Sequence, residues 1–165
     1  MEDKIFVREA TLEDFDECVK IAISSISEVA IVQPDHKKLL EHIYAALTRD
    51  HGIMGIIGEP GGQVEGGILL RMGTFWYSNE LVLEEKCVFV RPEFRTAKGG
   101  RASKLVKWGI EASDRLGVPL AFSVMSAGRM EGKMRLFERM LGKQAGAYFL
   151  YNGAPGGQSL NLEIN

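Results

Sequence analysis

The chain is poor in cysteine, with only Cys18 and Cys87 in 165 residues. They lie far apart in apolar surroundings, so neither a disulfide framework nor a cysteine-rich metal site is expected. His36, His42 and His51 lack metal-ligand spacing, and no metal is expected. No apolar run reaches the roughly 20 residues that a membrane-spanning helix needs. The opening "MEDKIFVREA" carries acids instead of the basic start and apolar core of an export signal. A cytoplasmic protein with reduced thiols and no membrane attachment is the expectation. Charge of one sign is also scarce: 20 Lys and Arg against 22 Asp and Glu leave a formal net charge of −2. That balance argues against a chain that coats nucleic acid. There is no internal repeat, no GxxxxGKS/T loop, and no GxGxxG after the first strand, so the common nucleotide cradles are not expected.

What the chain has is apolar residues, 45% of the total, in short patterned runs. Its length suits one compact domain over residues 1–165. Residues 4–10 read as a strand, and Thr11 with Asp14 three positions on starts a helix in the manner of a capping box. Leu12, Phe15, Val19, Ala22, Ile23 and Ile26 keep helical spacing along it. Pro34 opens a second helix, with Leu39, Leu40, Ile43 and Leu47 inward. "GIMGIIGE" and "VEGGILLRM", split by "PGGQ", read as a hairpin, and "ELVLEEKCVFV" as the third strand of that meander. A helix from Arg101 carries Ala102, Leu105, Val106, Gly109, Ile110 and Leu116 on one face, with Trp108 on the polar side. "PLAFSVM" is the next strand. Residues 129–142 form a further helix with Met130, Met134, Phe137 and Leu141 on one face and Gly142 as its cap. "GAYFLYN" and "QSLNLEIN" read as closing strands. This order fits an α/β (α+β) class, a central mixed sheet with helices on both faces.

The chemistry concentrates in "VRPEFRTAKGGRASKLVKWG", residues 90–109. A strand leads into a polar loop, two glycines and a helix start, where exposed N–H groups and the positive end of the helix dipole attract an anion. Lys98 and Arg101 add charge. Two glycines before a helix are commonplace and basic residues there usually form a solvated face, so position at the carboxyl edge of a sheet is the stronger part of the case. In the preceding strand Glu84 and Glu85 interrupt an apolar run, and alternation puts them on opposite faces. On that count Glu85 shares a face with Cys87 and Phe89, and the plain alternative is a pair of solvated acids at a strand end.

The whole pattern resembles the GNAT superfamily of acetyl-CoA-dependent N-acetyltransferases. The resemblance runs from "FVREATLEDFDEC" through "VFVRPEFRTAKGGRASKLVKWGIEASDRLGVPLAFSV" to "MRLFERMLGKQAGAYFLYN". In that family a strand ending in valine, then x-Pro-Glu-aromatic-Arg, leads to a loop of pattern Arg/Gln-x-x-Gly-x-Gly/Ala; Arg95, Lys98 and Gly100 stand at its marked places. The resemblance implies a mostly antiparallel GNAT-type sheet with splayed central strands, and a bulge in the strand holding Glu84 and Glu85 that would exchange their faces. It implies acetyl-CoA as cosubstrate, with Thr96, Ala97, Lys98, Gly99, Gly100 and Arg101, followed by Ala102, around the pyrophosphate. Val88, Phe89 and Val90 would pair with the pantetheine arm, and Ser126 would lie near the ligand. The partners are then acetyl-CoA and a primary amine, of a small molecule or of a peptide N-terminus or lysine, which attacks the thioester directly in a ternary complex. A homodimer is among the assemblies this allows.

Two departures stand out. Lys98 replaces the first loop glycine, at a cost of about 1 kcal/mol or more if that position needs φ > 0. Loops with few glycines also resemble those of phage-encoded GNAT-like proteins. Phe137 stands where many GNAT enzymes carry the tyrosine that protonates the departing thiolate. Glu85 or Glu84 is the expected base, and Tyr151, with Tyr148, the expected replacement donor. Cys87 reads as a packed small hydrophobe ahead of any acyl-carrier role. A GNAT-like protein without transferase activity, binding CoA or a protein partner in a regulatory or structural role, stays open as the alternative. The loop "SEVAIVQPDH" and the tip "TFWYSNE" are the expected determinants of the acceptor.

Overall fold

The computed structural model describes residues 5–96, 100–126, 128 and 130–157. Five strands form one sheet in chain order: β1 (Arg8–Glu9), β2 (Gly52–Ile57), β3 (Gly66–Gly73), β4 (Val82–Val90) and β5 (Leu120–Ala121). Neighbours from β1 to β4 are antiparallel, whereas β4 and β5 run parallel. Helices α1 (Phe15–Val29) and α2 (His36–Leu47) cover one face, and α3 (Gly100–Leu116) and α4 (Met130–Leu141) the other. The sheet is therefore mixed and mostly antiparallel with helices on both sides, as expected. Among the described residues no helix is long and apolar enough to cross a membrane, and no group of three or more His, Cys, Asp or Glu is arranged to hold a metal ion.

Alternation along the strands builds two cores. Met54, Ile56, Leu69 and Phe89 pack on Ile21, Ala22, Ile43 and Ala46 of α1 and α2. Ile57, Ile68, Leu70, Leu83 and Val88 pack on Leu105, Val106 and Ala112 of α3 and on Phe137 of α4. The start of α1 is tied to β1 by Arg8, whose Nη1 and Nη2 donate to the two carboxylate oxygens of Asp14 at 2.9 and 2.7 Å. Asp14 also accepts from the Thr11 N–H at 2.9 Å, so its buried charge is satisfied on several sides. The Arg8 guanidinium, offset in part by burial, holds the Asp14 carboxyl below the usual carboxylate range.

Several sequence expectations change. α2 starts at His36, not Pro34, because Asp35 is the cap: its Oδ1 accepts from the Lys38 N–H at 2.9 Å. The inner face of α1 is Cys18, Ile21, Ala22 and Ser25, while Leu12 and Ile23 are exposed; Leu12 falls in the single 3-10 turn before the helix, off its periodicity. Leu40, Leu116, Met130 and Leu141 are also exposed. β1 and β5 shrink to two residues each, since each is an edge held by two register pairs. "GAYFLYN" forms no strand and is exposed, and "QSLNLEIN" lies outside the described residues. Gly142 does end α4, at φ 97, its N–H bonded to Glu138 O at 3.0 Å.

Trp108 is the clearest correction. It is buried on the sheet side of α3, one turn from Leu105 and Ala112, because Gly55 of β2 leaves room for the indole. A Cβ at Gly55 would meet three ring carbons of Trp108 at 2.6 to 2.9 Å. We expect Gly55→Ala to displace the ring and lower stability by about 1 to 3 kcal/mol. Denaturant unfolding checks this, and an unchanged midpoint with unchanged tryptophan fluorescence would contradict the packing.

Candidate active site

The site begins with one extra residue in β4. Leu69 pairs with Cys87 but the next residue, Leu70, pairs with Glu85, so Lys86 is left without an opposite number. Such a bulge flips the faces of everything beyond it. Glu85 therefore shares Leu83's face, opposite Leu70 and toward α3 and α4, while Cys87 and Phe89 face α1 and α2. The plain alternation that grouped Glu85 with Cys87 and Phe89 does not hold, and the exchange expected from a bulge does. Glu84 keeps to the α1 and α2 side, opposite Arg71, and is ion-paired with Lys86.

Past Glu84, β4 loses its second neighbour. It pairs with β5 only at Leu83↔Leu120 and Glu84↔Ala121, then runs on to Val90 with that edge open among the described residues. A cleft of about 560 Å³ occupies the gap. Val88, Phe89 and Val90 line it on the strand side, Glu28 and Val29 from the end of α1, and Lys133, Leu136 and Phe137 from α4. Thr96, Arg101 and Ala102 line it at the entrance to α3. Gly100 opens α3, and among the described residues beyond its chain neighbours and its own helix backbone no atom lies within 4 Å of where a Cβ would stand. Ala97, Lys98 and Gly99 of the expected cradle lie outside the described residues. The Ser126 hydroxyl donates to Gly128 O, and of these two residues it is Gly128 that lines the cleft.

The arginines of the loop are braces. Arg95 donates from Nε to Val90 O at 2.7 Å and from Nη2 to Glu28 at 2.9 and 3.1 Å, with its guanidinium 5.0 Å from the Phe89 ring centroid. Arg101 donates from Nε to Glu65 at 2.6 Å and lies 5.1 Å from the Phe94 ring centroid. Each already has a carboxylate. The cations lining the cleft without an ion-pair partner among the described residues are Lys133, Arg135 and Arg139 of α4; Arg139 reaches only the Ser103 hydroxyl, at 3.2 Å. Sequence reasoning missed these three, since a basic helix surface gives no sign of which groove it overlooks.

Glu85 is 8% exposed, and burial pushes its carboxyl up to about 7, opposed by backbone hydrogen bonds at Ser123 and Val88 and by the charge of Lys133. It stands just past the point where β4 and β5 part and lines neither cavity itself; a carboxyl raised this far has the acidity suited to taking up a proton near neutral pH. Phe137 presents an apolar ring to the cleft, edge-on to Phe122 at 4.8 Å between centroids, and among the described lining residues the one hydroxyl is that of Thr96, at the entrance to α3. Tyr151, 89% exposed, and Tyr148 do not line the cleft. Burial, with Ser25 opposing it, pushes the Cys87 thiol up to about 11, and its sulfur is 3.1 Å from the Ser25 hydroxyl. A thiol so poorly ionised is no nucleophile near neutral pH.

A second pocket, about 250 Å³, lies between α1, α2 and the sheet. Lys86 and Cys87 line it, and Val88, the next residue of the bulged strand, lines the larger cleft; the two cavities share no lining residue.

No family model matches the chain and no curated protein matches it. Solved structures do. A possible acetyltransferase from Clostridium difficile 630 superposes with a TM-score of 0.67 at 20% identity, over 91% of this chain and 97% of that one. AAC(6')-Iy, solved with the bisubstrate analogue CoA-S-monomethyl-acetylneamine, gives 0.68 at 15% identity, over 92% and 99%. A predicted acetyltransferase from Clostridium acetobutylicum, solved with acetyl-CoA, gives 0.67 at 15% identity, over 90% and 96%. The chain has the GNAT acetyltransferase fold.

Glu85 makes a prediction that needs no substrate. With its folded value raised from 4.5 to about 7, the native state keeps a proton that the unfolded chain releases, so stability falls as pH rises across that interval and is level above it. Glu85→Gln removes this slope, a difference of up to roughly 3 kcal/mol between pH 4.5 and 8. Unfolding midpoints of both proteins over that range check it; parallel curves would place the titration elsewhere.

Proposed function

We propose that the chain is an N-acetyltransferase that uses acetyl-CoA as cosubstrate and a primary amine as acceptor. The observation that carries this is the buried Glu85, its carboxyl raised to about 7 where β4 parts from β5, on the strand that runs on to line the larger cleft at Val88. The fit of the larger cleft to CoA rests on three features of the chain itself. The open edge of β4 at Val88, Phe89 and Val90 offers backbone groups to an extended amide arm, in the manner of an added strand. The N–H groups at the start of α3, from Gly100 to Ala102, together with the loop of Thr96, Ala97, Lys98 and Gly99, suit a pyrophosphate. Lys133, Arg135 and Arg139 supply the charge that the braced Arg95 and Arg101 do not.

When bound, acetyl-CoA supplies an activated acyl group on a thiol leaving group. Glu85 then accepts a proton from the amine, directly or through water, and its near-neutral pKa keeps it both ionised and basic enough near pH 7. Phe137 keeps its stretch of the cleft dry but donates nothing. The leaving thiolate needs little help, because a thiol titrates at roughly 8.5 and can leave unprotonated. Phe137 also favours a second reading, in which the chain binds CoA without turnover in a regulatory or structural role.

Calorimetric titration with acetyl-CoA, followed by thiol release with a panel of amines, separates the two. Binding with turnover is expected; binding without turnover on any amine selects the second reading, and no binding removes both. Gly100→Glu should abolish acetyl-CoA binding by filling the approach to α3, and retained affinity would refute the cradle. Glu85→Gln should leave that affinity unchanged while lowering kcat by about 10²- to 10⁴-fold. It should also remove the limb of kcat/KM that rises with pH through about 7 in the parent protein.

A further inference from the structure

The smaller pocket carries an inference about the acceptor, which rests on the transferase reading above. At about 250 Å³ it falls below the roughly 300–1,000 Å³ of sites that enclose a whole small ligand. It has room for one apolar side chain, not for a multi-ring molecule. Its floor suits such a group, being built from Ile21, Ala22, Ile26, Leu39 and Met54.

Its polar wall has more cations than acids. Lys38, His42 and Lys86 line it together with one carboxylate, Asp35, and Arg71, not itself a lining residue, stands behind His42 with Nη1 3.2 Å from His42 Nδ1. Arginine has only donors, so Nδ1 is the acceptor and the ring proton sits on Nε2, as a donor. Burial first, and then Arg71, Lys38 and Lys86, hold the His42 pKa below its ordinary value against the opposing Glu41, so the ring is neutral near pH 7. Of the three cations, Lys86 is matched by Glu84. Among the described residues Lys38 and Arg71 have no carboxylate partner, in contrast to Arg8, Arg49, Arg91, Arg95 and Arg101, each held by one. The acids nearby are engaged: Asp35 accepts from the Lys38 N–H at the α2 cap, and Glu41 pairs with Lys37 at 3.9 Å. Two unmatched cations beside an apolar floor complement an anion at the end of an apolar body, and they repel a polycation.

We propose that this pocket selects an amine that also carries an apolar side chain and a free carboxylate, as a hydrophobic amino acid does, with Lys38 and the Arg71–His42 pair as the carboxylate anchors. Lys38 on α2 and Arg71 on β3 are then specificity-determining residues, and the pocket's two elements set the distance between side chain and carboxylate.

The test uses a product of this class, so that it is independent of CoA. N-acetyl-L-leucine and N-acetyl-L-leucinamide are titrated into the CoA-free protein, with amide chemical shifts as the readout. The acid should bind about ten-fold or more tighter than the amide, the size of one charge-assisted contact. Lys38→Gln and Arg71→Gln should each bring that ratio toward one, while Gly100→Glu leaves it unchanged. Equal affinity for acid and amide, or no binding of the acid, overturns the proposal. Thiol release with leucine, leucinamide and kanamycin is measured in parallel: preference for leucine supports the proposal, and turnover of kanamycin or leucinamide over leucine overturns it while leaving the transferase reading intact. Failure of acetyl-CoA to bind removes the transferase reading, while the N-acetylleucine titration still decides what the pocket holds.

Discussion

The single unpaired residue Lys86 organises the centre of this protein. A strand alternates its side chains between two faces, and an extra residue reverses the assignment of all that follow. Before the bulge, Leu83 and Glu85 face α3 and α4; after it, Val88 and Val90 do. Were Lys86 paired in plain alternation, Cys87 and Phe89 would share the face of Glu85 in place of Val88 and Val90. The same insertion sits just beyond the point where β4 and β5 part, so the change of facing and the opening of the cleft coincide. Glu85 is buried because it lies at that junction, and its high pKa is the electrostatic consequence of standing there.

The rim of the cleft is held by ion pairs that reach across elements. Arg91 joins the end of β4 to Glu17 of α1 and to Val64 O, Arg95 joins the following turn to Glu28, and Arg101 joins α3 to Glu65. Each is partly buried, bidentate or supported by a carbonyl or ring, so geometry and not mere proximity gives it value. The charges thus divide into two groups. Those matched by a carboxylate shape the walls, and the proposed ligands rest on those left unmatched among the described residues: Lys133, Arg135 and Arg139 at one cavity, and at the other Lys38, with Arg71 behind His42.

The two cavities have different characters because different elements build them. The larger one is open along a strand edge and a helix start, where exposed backbone groups are of the kind that suit the extended, phosphorylated ligand proposed for it. The smaller is closed by side chains of two amphipathic helices, so it distinguishes by shape and charge alone. The proposed direct transfer needs its reactants brought together, and the strand β4 contributes to both cavities, through Cys87 to one and Val88 to the other.

Much of the frame was legible in the chain. The meander was visible because short alternating runs were separated by "PGGQ" and the tip near Tyr77, and α3 because its apolar residues recur at helical spacing. Local chemistry also marked the loop before α3 and the acids of β4. What was illegible depended on neighbours. Trp108 looked exposed until Gly55, over 50 positions earlier, was found beneath it. Residues 146–152 looked like a strand, but among the described residues no edge pairs with them.

The sequence by itself determined the four helices and the central meander, and which residue types stand at the loop, because those follow from periodicity and from caps within a few positions. Only the tertiary structure decided what each charged group is for. Whether an arginine braces a wall or faces a ligand depends on the carboxylate opposite it, and whether a glutamate is a solvated acid or a base near neutrality depends on how much water the surrounding elements leave it. Both are properties of distance and burial, and a linear chain contains neither.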